Sequence, residues 1–210
     1  MINWGIFVKI FYIFKYYILN KPYGYHSQFS GDGILTLKDL AEENKLEIPT
    51  NVYPVGRLDK DSEGLLILTN DKKLHTYLLN PKHGHKRTYW TQLDNTISNK
   101  AIKELESGVT IKLNKKDYKT LPAKVKLINK PNNLWKRTPP VRFRKEIPTS
   151  WIELTLTEGK NRQVRRMTAT VGFPTLRLIR CSIEKLMVDE VKNGEVKEVD
   201  EAWIKKMLNF

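Results

Sequence analysis

The chain has 210 residues, 40% of them hydrophobic, and 37 Lys and Arg against 23 Asp and Glu give it a formal charge of +14. That length and apolar content exclude global disorder and allow one domain of moderate size or two small lobes. The single cysteine, Cys181, excludes an internal disulfide framework and suits a reducing cytoplasm, while the basic excess predicts attraction to a polyanion that weakens as salt rises.

Residues 4–19 are strongly apolar but interrupted by Lys9 and Lys15. The run is short for a membrane span, lysines inside it would be costly there, and neither a basic leader nor a small-residue cleavage site is clear. The first core strand is expected at residues 16–19, with residues 1–15 an apolar extension of unassigned role. Lys21-Pro22-Tyr23-Gly24 then breaks regular structure. A short helix over 35–44 and an extended piece at 53–55 lead to a polar loop, which turns at Asp61-Ser62-Glu63-Gly64 into a strand over 65–69. Asn70 caps a helix running to about residue 79, with Leu74 and Leu78 on one face, and Pro81 stops it.

Residues 88–93 alternate like a strand, and 96–108 read as a helix with Ser98 as cap, Ile102 and Leu105 facing the core, and Gly108 at its end. Strands follow at 109–113, 124–129 and 151–157. Between the last two lies a Pro-rich, basic connection, 130–150, too long for an idle turn. It sets Lys136, Arg137, Arg142, Arg144 and Lys145 beside Trp135 and Phe143, a mixture that suits single-stranded or flipped RNA better than a solvated loop. A basic helix comes next, capped by Asn161 and ended by Gly172 and Pro174. Its periodicity puts Val164, Met167, Thr168 and Val171 on one face, Arg162 and Arg166 on the other towards solvent or phosphate, and Arg165 on the flank. His83-Gly84-His85 has too few ligands around it for zinc and reads as an exposed loop, and no repeat, P-loop or dinucleotide fingerprint is present.

The most telling segment is Gly56-Arg57-Leu58-Asp59-Lys60-Asp61-Ser62-Glu63-Gly64-Leu65-Leu66. Its alternating acids fit the early positions of a calcium loop, but Asn70 stands where a bidentate Glu is required, and Arg57 and Lys60 oppose a cation. A glycosidase pair needs carboxylates about 5 Å or more apart across a sugar bond, which neighbours on one tight turn do not offer. A plain solvated turn is the remaining reading on composition alone.

The literal sequence of this segment resembles the catalytic motif of RNA pseudouridine synthases, in the branch that modifies specific uridines of ribosomal RNA. Further blocks of that family appear in order: Lys21-Pro22 after an apolar strand, the basic-x-Tyr element at Lys86-Arg87-Thr88-Tyr89-Trp90, and Glu158-Gly159-Lys160-Asn161-Arg162-Gln163-Val164-Arg165-Arg166-Met167. Residues 139–151 and 172–180 are similar to segments of the subgroup acting on large-subunit (23S) rRNA, designated E, and the resemblance covers residues 16–200.

The resemblance implies an α+β fold, a mixed and mainly antiparallel sheet with helices and a central RNA-binding cleft. It implies a catalytic domain over 16–200 in two lobes, then a C-terminal helix or tail over 201–210; with Lys21-Pro22 so early, no S4-like module precedes it. The implied reaction isomerises uridine to pseudouridine without cofactor or metal, in a cytoplasmic monomer whose partner is rRNA. Asp59 is the expected nucleophile or base, Arg165 its cation with Arg57 as runner-up, and Tyr89 stacks on the target base. Arg57, Lys60, Lys21, Lys160, Arg162, Arg166, Arg142 and Arg144 are the expected RNA contacts, although a core tyrosine at 89 and a lid role for Lys21 are the plainer alternatives. A non-catalytic rRNA assembly factor using the same cleft, or a sibling enzyme acting on small-subunit rRNA or tRNA, are the competing readings.

Overall fold

The computed structural model describes residues 13–142 and 146–210, so most of the N-terminal extension and Arg144 lie outside the described residues. The chain begins with β1 (Tyr16–Lys21) and α1 (Leu37–Glu43), whose Thr36 and Asp39 side chains each bond the other's end of the first turn in a capping box. A short β2 (Tyr53–Pro54) precedes β3 (Glu63–Thr69). The expected turn at 61–64 is therefore shorter: Glu63 and Gly64 already belong to the strand, because each pairs with β9 (Thr175–Ile183). α2 (Lys72–Leu79) is capped by Asp71, not Asn70. The Asp71 carboxylate accepts from Lys73 and Leu74 backbone N–H groups at 2.9 and 3.2 Å, whereas Asn70 ties down the incoming chain by accepting from the Lys15 N–H at 2.8 Å.

β4 (Arg87–Asp94) and α3 (Asn99–Ser107) follow, and Ser98 caps α3 as expected. β5 (Thr110–Leu113) and β6 (Lys116–Lys119) form a separate hairpin. No signal marked β6, since its turn puts Asn114 and Lys115 at positive φ without the glycine that usually advertises such a turn. β7 (Lys124–Ile128) and β8 (Thr149–Leu156) flank the Pro-rich connection. α4 (Gln163–Thr170), β10 (Leu186–Met187), β11 (Val196–Glu198) and α5 (Glu201–Met207) complete the chain. The cap of α4 differs from expectation: Arg162 occupies it in the left-handed region (φ 52) with no side-chain bond, and the Asn161 side-chain Oδ1 accepts from Arg166 Nη2 instead.

The main sheet has nine strands in the order β11-β1-β3-β9-β4-β8-β7, with β2 and β10 paired at its margins. All these pairs are antiparallel except β3 with β9. β3 reads as an uninterrupted apolar run because both its faces are covered. Leu65 and Ile67 pack with Leu74 and Leu78 of α2 and Ile204 of α5, while Leu66 and Leu68 pack with Leu37 and Leu40 of α1. A third cluster joins α3 and α4 to the β4–β8 half through Leu105, Met167, Leu154 and Leu178. Phe14 and Leu208 pack against the α2/α5 cluster, so both ends of the described chain dock on the sheet.

Cross-strand pairing places Lys21 opposite Gly64, Gly64 opposite Arg180, and Arg180 opposite Tyr89. This row lies on the face that carries α1 and α4, between their two clusters. Gly64 is needed there: its φ is +104, and a Cβ would fall 2.4 Å from the Arg180 carbonyl oxygen. Gly64→Ala is expected to cost about 2–5 kcal/mol through backbone strain and overpacking combined. Urea unfolding measures it, and a loss below 1 kcal/mol would contradict so close a β3–β9 contact.

Candidate active site

Above that row sits the loop of residues 56–62. Leu58 anchors it: the side chain is buried in the α1 cluster, and Ser27 Oγ accepts from its N–H at 3.0 Å and donates to its carbonyl at 2.8 Å. The Ser62 N–H closes a turn on the Asp59 carbonyl at 3.0 Å, and Gly24 N–H donates to the Lys60 carbonyl at 2.8 Å. The loop is thus fixed from below by Ser27 and from the side by the Pro22–Tyr25 segment. Asp59 and Asp61 point out of it, each with a side chain about one-third exposed.

The opposite wall is the start of α4. Glu158, itself buried, accepts from Gln163 Nε2 at 2.6 Å, Leu121 N–H at 2.8 Å and the Tyr118 hydroxyl at 2.5 Å. Its carboxylate pushes the Tyr118 hydroxyl up to about 12. These bonds fix the first turn of α4, and Arg162 and Arg165 reach from it to the acidic loop. Arg162 grips Asp61 bidentately at 2.9 and 2.7 Å and lies 3.5 Å from the Asp59 carboxylate. Arg165 donates to the Asp61 carbonyl at 2.6 Å, and its Nε stands 3.4 Å from the Asp61 carboxylate. Burial opposes the Asp61 charge, yet the Arg162 hydrogen bond and the two guanidinium charges hold its carboxyl below the usual range.

Asp59, Tyr89, Arg57, Lys60, Lys160 and Arg162 line one cleft of about 780 Å³. The structure therefore brings together most of the expected residues but redistributes their partners. The guanidinium nearest Asp59 is that of Arg162, at 3.5 Å, while Arg165 bonds Asp61 and feels the Asp59 charge from further off. Arg165 is held between the Asp61 and Thr175 carbonyls, and Arg162 occupies the left-handed cap ahead of the helix proper. Arg166 points the other way, donating to the Lys112 carbonyl of β5, and so leaves the cleft. Arg57 is exposed at the rim, with Gln28 Oε1 at 3.4 Å from its Nη2. Arg142 is exposed on the Pro-rich connection.

Lys21 is the clearest correction. It is fully buried, and its Nζ donates to the Pro22 and Tyr25 carbonyls at 2.9 and 2.7 Å, so it holds the loop beside it and cannot meet RNA. Burial pulls its amine down to about 7, against the attraction of Glu63, Asp61 and Asp59. His85 is not in an exposed loop either: it is buried, 3.2 Å from Glu184 and 3.1 Å from the Tyr77 carbonyl.

The reading of the sequence missed Asp61 as the clamp and Arg180 as part of the floor. Arg180 is buried, its Nε donates to the Leu65 carbonyl at 2.7 Å, and its Nη2 has no hydrogen-bond partner among the described residues. Burial draws its pKa below the ordinary arginine value, opposed by the Tyr89 phenol beside it. The available signal was an arginine inside the apolar strand Leu178-Ile179-Arg180-Cys181, since charges are rarely buried there without a purpose. Tyr89 meets Arg180 because the β4–β9 register shifts between Thr88 and Tyr89, a bulge that re-aims the tyrosine.

A loop carboxylate backed by arginines, in a basic cleft across a mixed sheet with helices on both faces, defines an α+β protein with an acid poised at an open site. The family described as RNA pseudouridylate synthase matches residues 15–170, and the chain belongs to it. It is 48% identical over 187 residues to ribosomal large subunit pseudouridine synthase E of Vibrio parahaemolyticus, covering 88% of this chain and 74% of that protein. It is 46% identical over 172 residues to the protein of the same name from Xanthomonas axonopodis pv. citri, covering 82% and 87%. A solved structure titled crystal structure of pseudouridylate synthase shares the fold, with a TM-score of 0.74 at 24% identity over 93% of this chain and 74% of that one. The chain is an RNA pseudouridine synthase with an α+β fold.

The buried amine at Lys21 carries a pH signature. Its folded pKa, about 7, lies below the unfolded value of 10.5, so between them the unfolded chain binds a proton that the folded chain lacks. Stability from this group therefore rises with pH across that window. The stability difference between wild type and Lys21→Met, followed by urea unfolding, is expected to move in favour of wild type from pH 7 to pH 9. A constant difference would show that the amine keeps its proton.

Proposed function

We propose that the protein isomerises a specific uridine of large-subunit (23S) ribosomal RNA to pseudouridine, in the cytoplasm, and that Asp59 performs the covalent or proton-abstracting step. The observation that carries this reading is the placement of Asp59: a part-exposed carboxylate in the same cleft as Tyr89, with the Arg162 guanidinium 3.5 Å away as counter-charge. The large-subunit target rests on the relatives, which are 44–48% identical and named for that activity.

In the reaction the bond from N1 to C1′ breaks, the base turns, a bond from C5 to C1′ forms, and the C5 proton is lost while N1 regains one. Nothing is oxidised or reduced. An ionised carboxylate serves as nucleophile or as base, and a covalent adduct would divide one difficult step into two. Tyr89 offers a ring on which the extruded base stacks and a phenol near its C5 edge. Arg180, buried beneath the cleft and opposite Tyr89 in the β4–β9 pairing, holds a positive charge under the floor of the site. Extruding the uridine costs a few kcal/mol. The rim cations Arg57, Lys60 and Lys160 offset it through backbone contacts, and Arg162 joins them while it clamps the loop.

Purified protein incubated with unmodified rRNA should yield pseudouridine at a discrete position, mapped by chemical adduct sequencing. Asp59→Asn should bind the same RNA and leave every uridine unchanged; full activity in that variant would end this reading, and binding without any wild-type isomerisation would favour an assembly factor. Affinity should also fall steeply with salt, log K against log [salt] sloping by about −0.7 per phosphate contacted on single-stranded RNA. A flat response would remove the electrostatic part of the proposal.

A further inference from the structure

The Pro-rich connection between β7 and β8 is fastened to the sheet by one buried node. Trp135 Nε1 donates to Glu63 Oε2 at 2.8 Å. Arg177 Nε and Nη2 donate to the two oxygens of the same carboxylate, each at 2.8 Å, and Arg177 Nη1 donates to the Trp135 carbonyl at 3.1 Å. The guanidinium also sits over the indole, 5.7 Å from its centroid. Glu63 and Arg177 are 1% and 6% exposed at their side chains, so the carboxylate has its charge matched and its oxygens filled. Glu63 is the first residue of β3 and immediately follows the acidic loop, which makes the anchor of the connection part of the catalytic strand.

Two residues beyond Trp135, Arg137 stacks on the Tyr23 ring, 4.3 Å from its centroid. Its Nε and Nη2 donate to the carbonyls of Pro139 and Pro140 at 2.8 and 3.0 Å, which holds the guanidinium over the ring and leaves Nη1 without a hydrogen bond among the described residues. Tyr23 adjoins Gly24, whose N–H bonds the carbonyl of Lys60 next to Asp59. An exposed salt bridge could not place a cation this firmly, because long side chains lose that order to entropy. A guanidinium stacked on an aromatic ring and bonded to backbone is pre-organised.

Resting on the function proposed above, we propose that the Trp135–Glu63–Arg177 node is a latch that ties the connecting arm to the catalytic strand, and that Arg137, held on Tyr23, binds the RNA phosphate flanking the extruded uridine. Trp135 is a positioning residue and Arg137 an RNA contact. The node fixes the distance between the arm's cation and Asp59, so the arm selects where along the RNA the carboxylate acts.

The test measures Kd and its salt dependence for wild type, Trp135→Phe, Arg137→Ala and the double variant on a transcript of large-subunit rRNA. Trp135→Phe keeps a ring in the α2/α5 cluster and removes only the indole donor; Arg137→Ala alters a part-exposed side chain and leaves the node intact. Arg137→Ala is expected to weaken binding about five- to tenfold and to reduce the salt slope by about 0.7, the share of one phosphate. Trp135→Phe should weaken binding in the same direction, and the double variant should bind no worse than Arg137→Ala, since both changes remove one contact. An unchanged slope in Arg137→Ala, or additive losses in the double variant, would overturn the proposal. Pseudouridine formed by wild type on the same transcript is scored separately: its absence would overturn the function proposed above, whereas the binding slopes test the latch.

Discussion

The Asp61 carboxylate is the joint between the two walls of the cleft. One wall is a loop hung from β3 and anchored by Leu58 in the α1 cluster; the other is the first turn of α4, packed on the β4–β8 half of the sheet. Two arginines converge on Asp61, and without its carboxylate the like charges at 162 and 165 would face each other across a part-buried space. Removing one member of such a group leaves the others uncompensated, a loss of about 3–5 kcal/mol where the site is buried and less where it is wet. The clamp costs binding surface, since it occupies arginines that could otherwise meet RNA. In return the carboxylate at 59 faces the substrate from a fixed frame.

A chain with an excess of positive charge thus concentrates three acids within one short segment and gives each a different neighbourhood. Glu63 is buried and fully paired, Asp61 is half-buried and gripped, and Asp59 is the most weakly held, touching a single guanidinium at 3.5 Å. The gradient from saturated to free runs backwards along the chain, outward from the first residue of β3. A carboxylate that must form and break bonds needs spare valence, and it is the one with fewest partners that keeps it.

Much of this was visible beforehand, and the reasons are local. The apolar runs of β1 and β3, the spacing of Leu74 and Leu78, and the Ser98 to Gly108 frame are each set by nearest neighbours and by burial, and they appear where expected. The motif around Asp59 was legible as a sequence resemblance. What stayed hidden depends on distant partners. Lys21 reads as a surface cation until β3 and the following loop close over it. Arg162 reads as solvent-facing on an ideal helix, but it occupies a left-handed cap ahead of the helix proper and grips the loop. Asn70 and Asp71 are both good caps in isolation, and only the strand beside Lys15 decides between them. The bulge that sets Tyr89 against Arg180 is a property of two paired strands and has no signature in either one.

The two outer strands of the sheet carry one more consequence. β7 ends the sheet on one side with Lys124 and Lys126 exposed, while β11 ends it on the other with Lys197 and Glu198 exposed. An open edge is a template for another strand, and a second copy arriving at β7 against its like would set ammonium groups against ammonium groups at roughly the 4.8 Å spacing of neighbouring strands. Crowding many such molecules along one polyanion would ordinarily invite fibrous stacking; here the same lysines that draw the protein to that polymer keep its neighbours from zipping together.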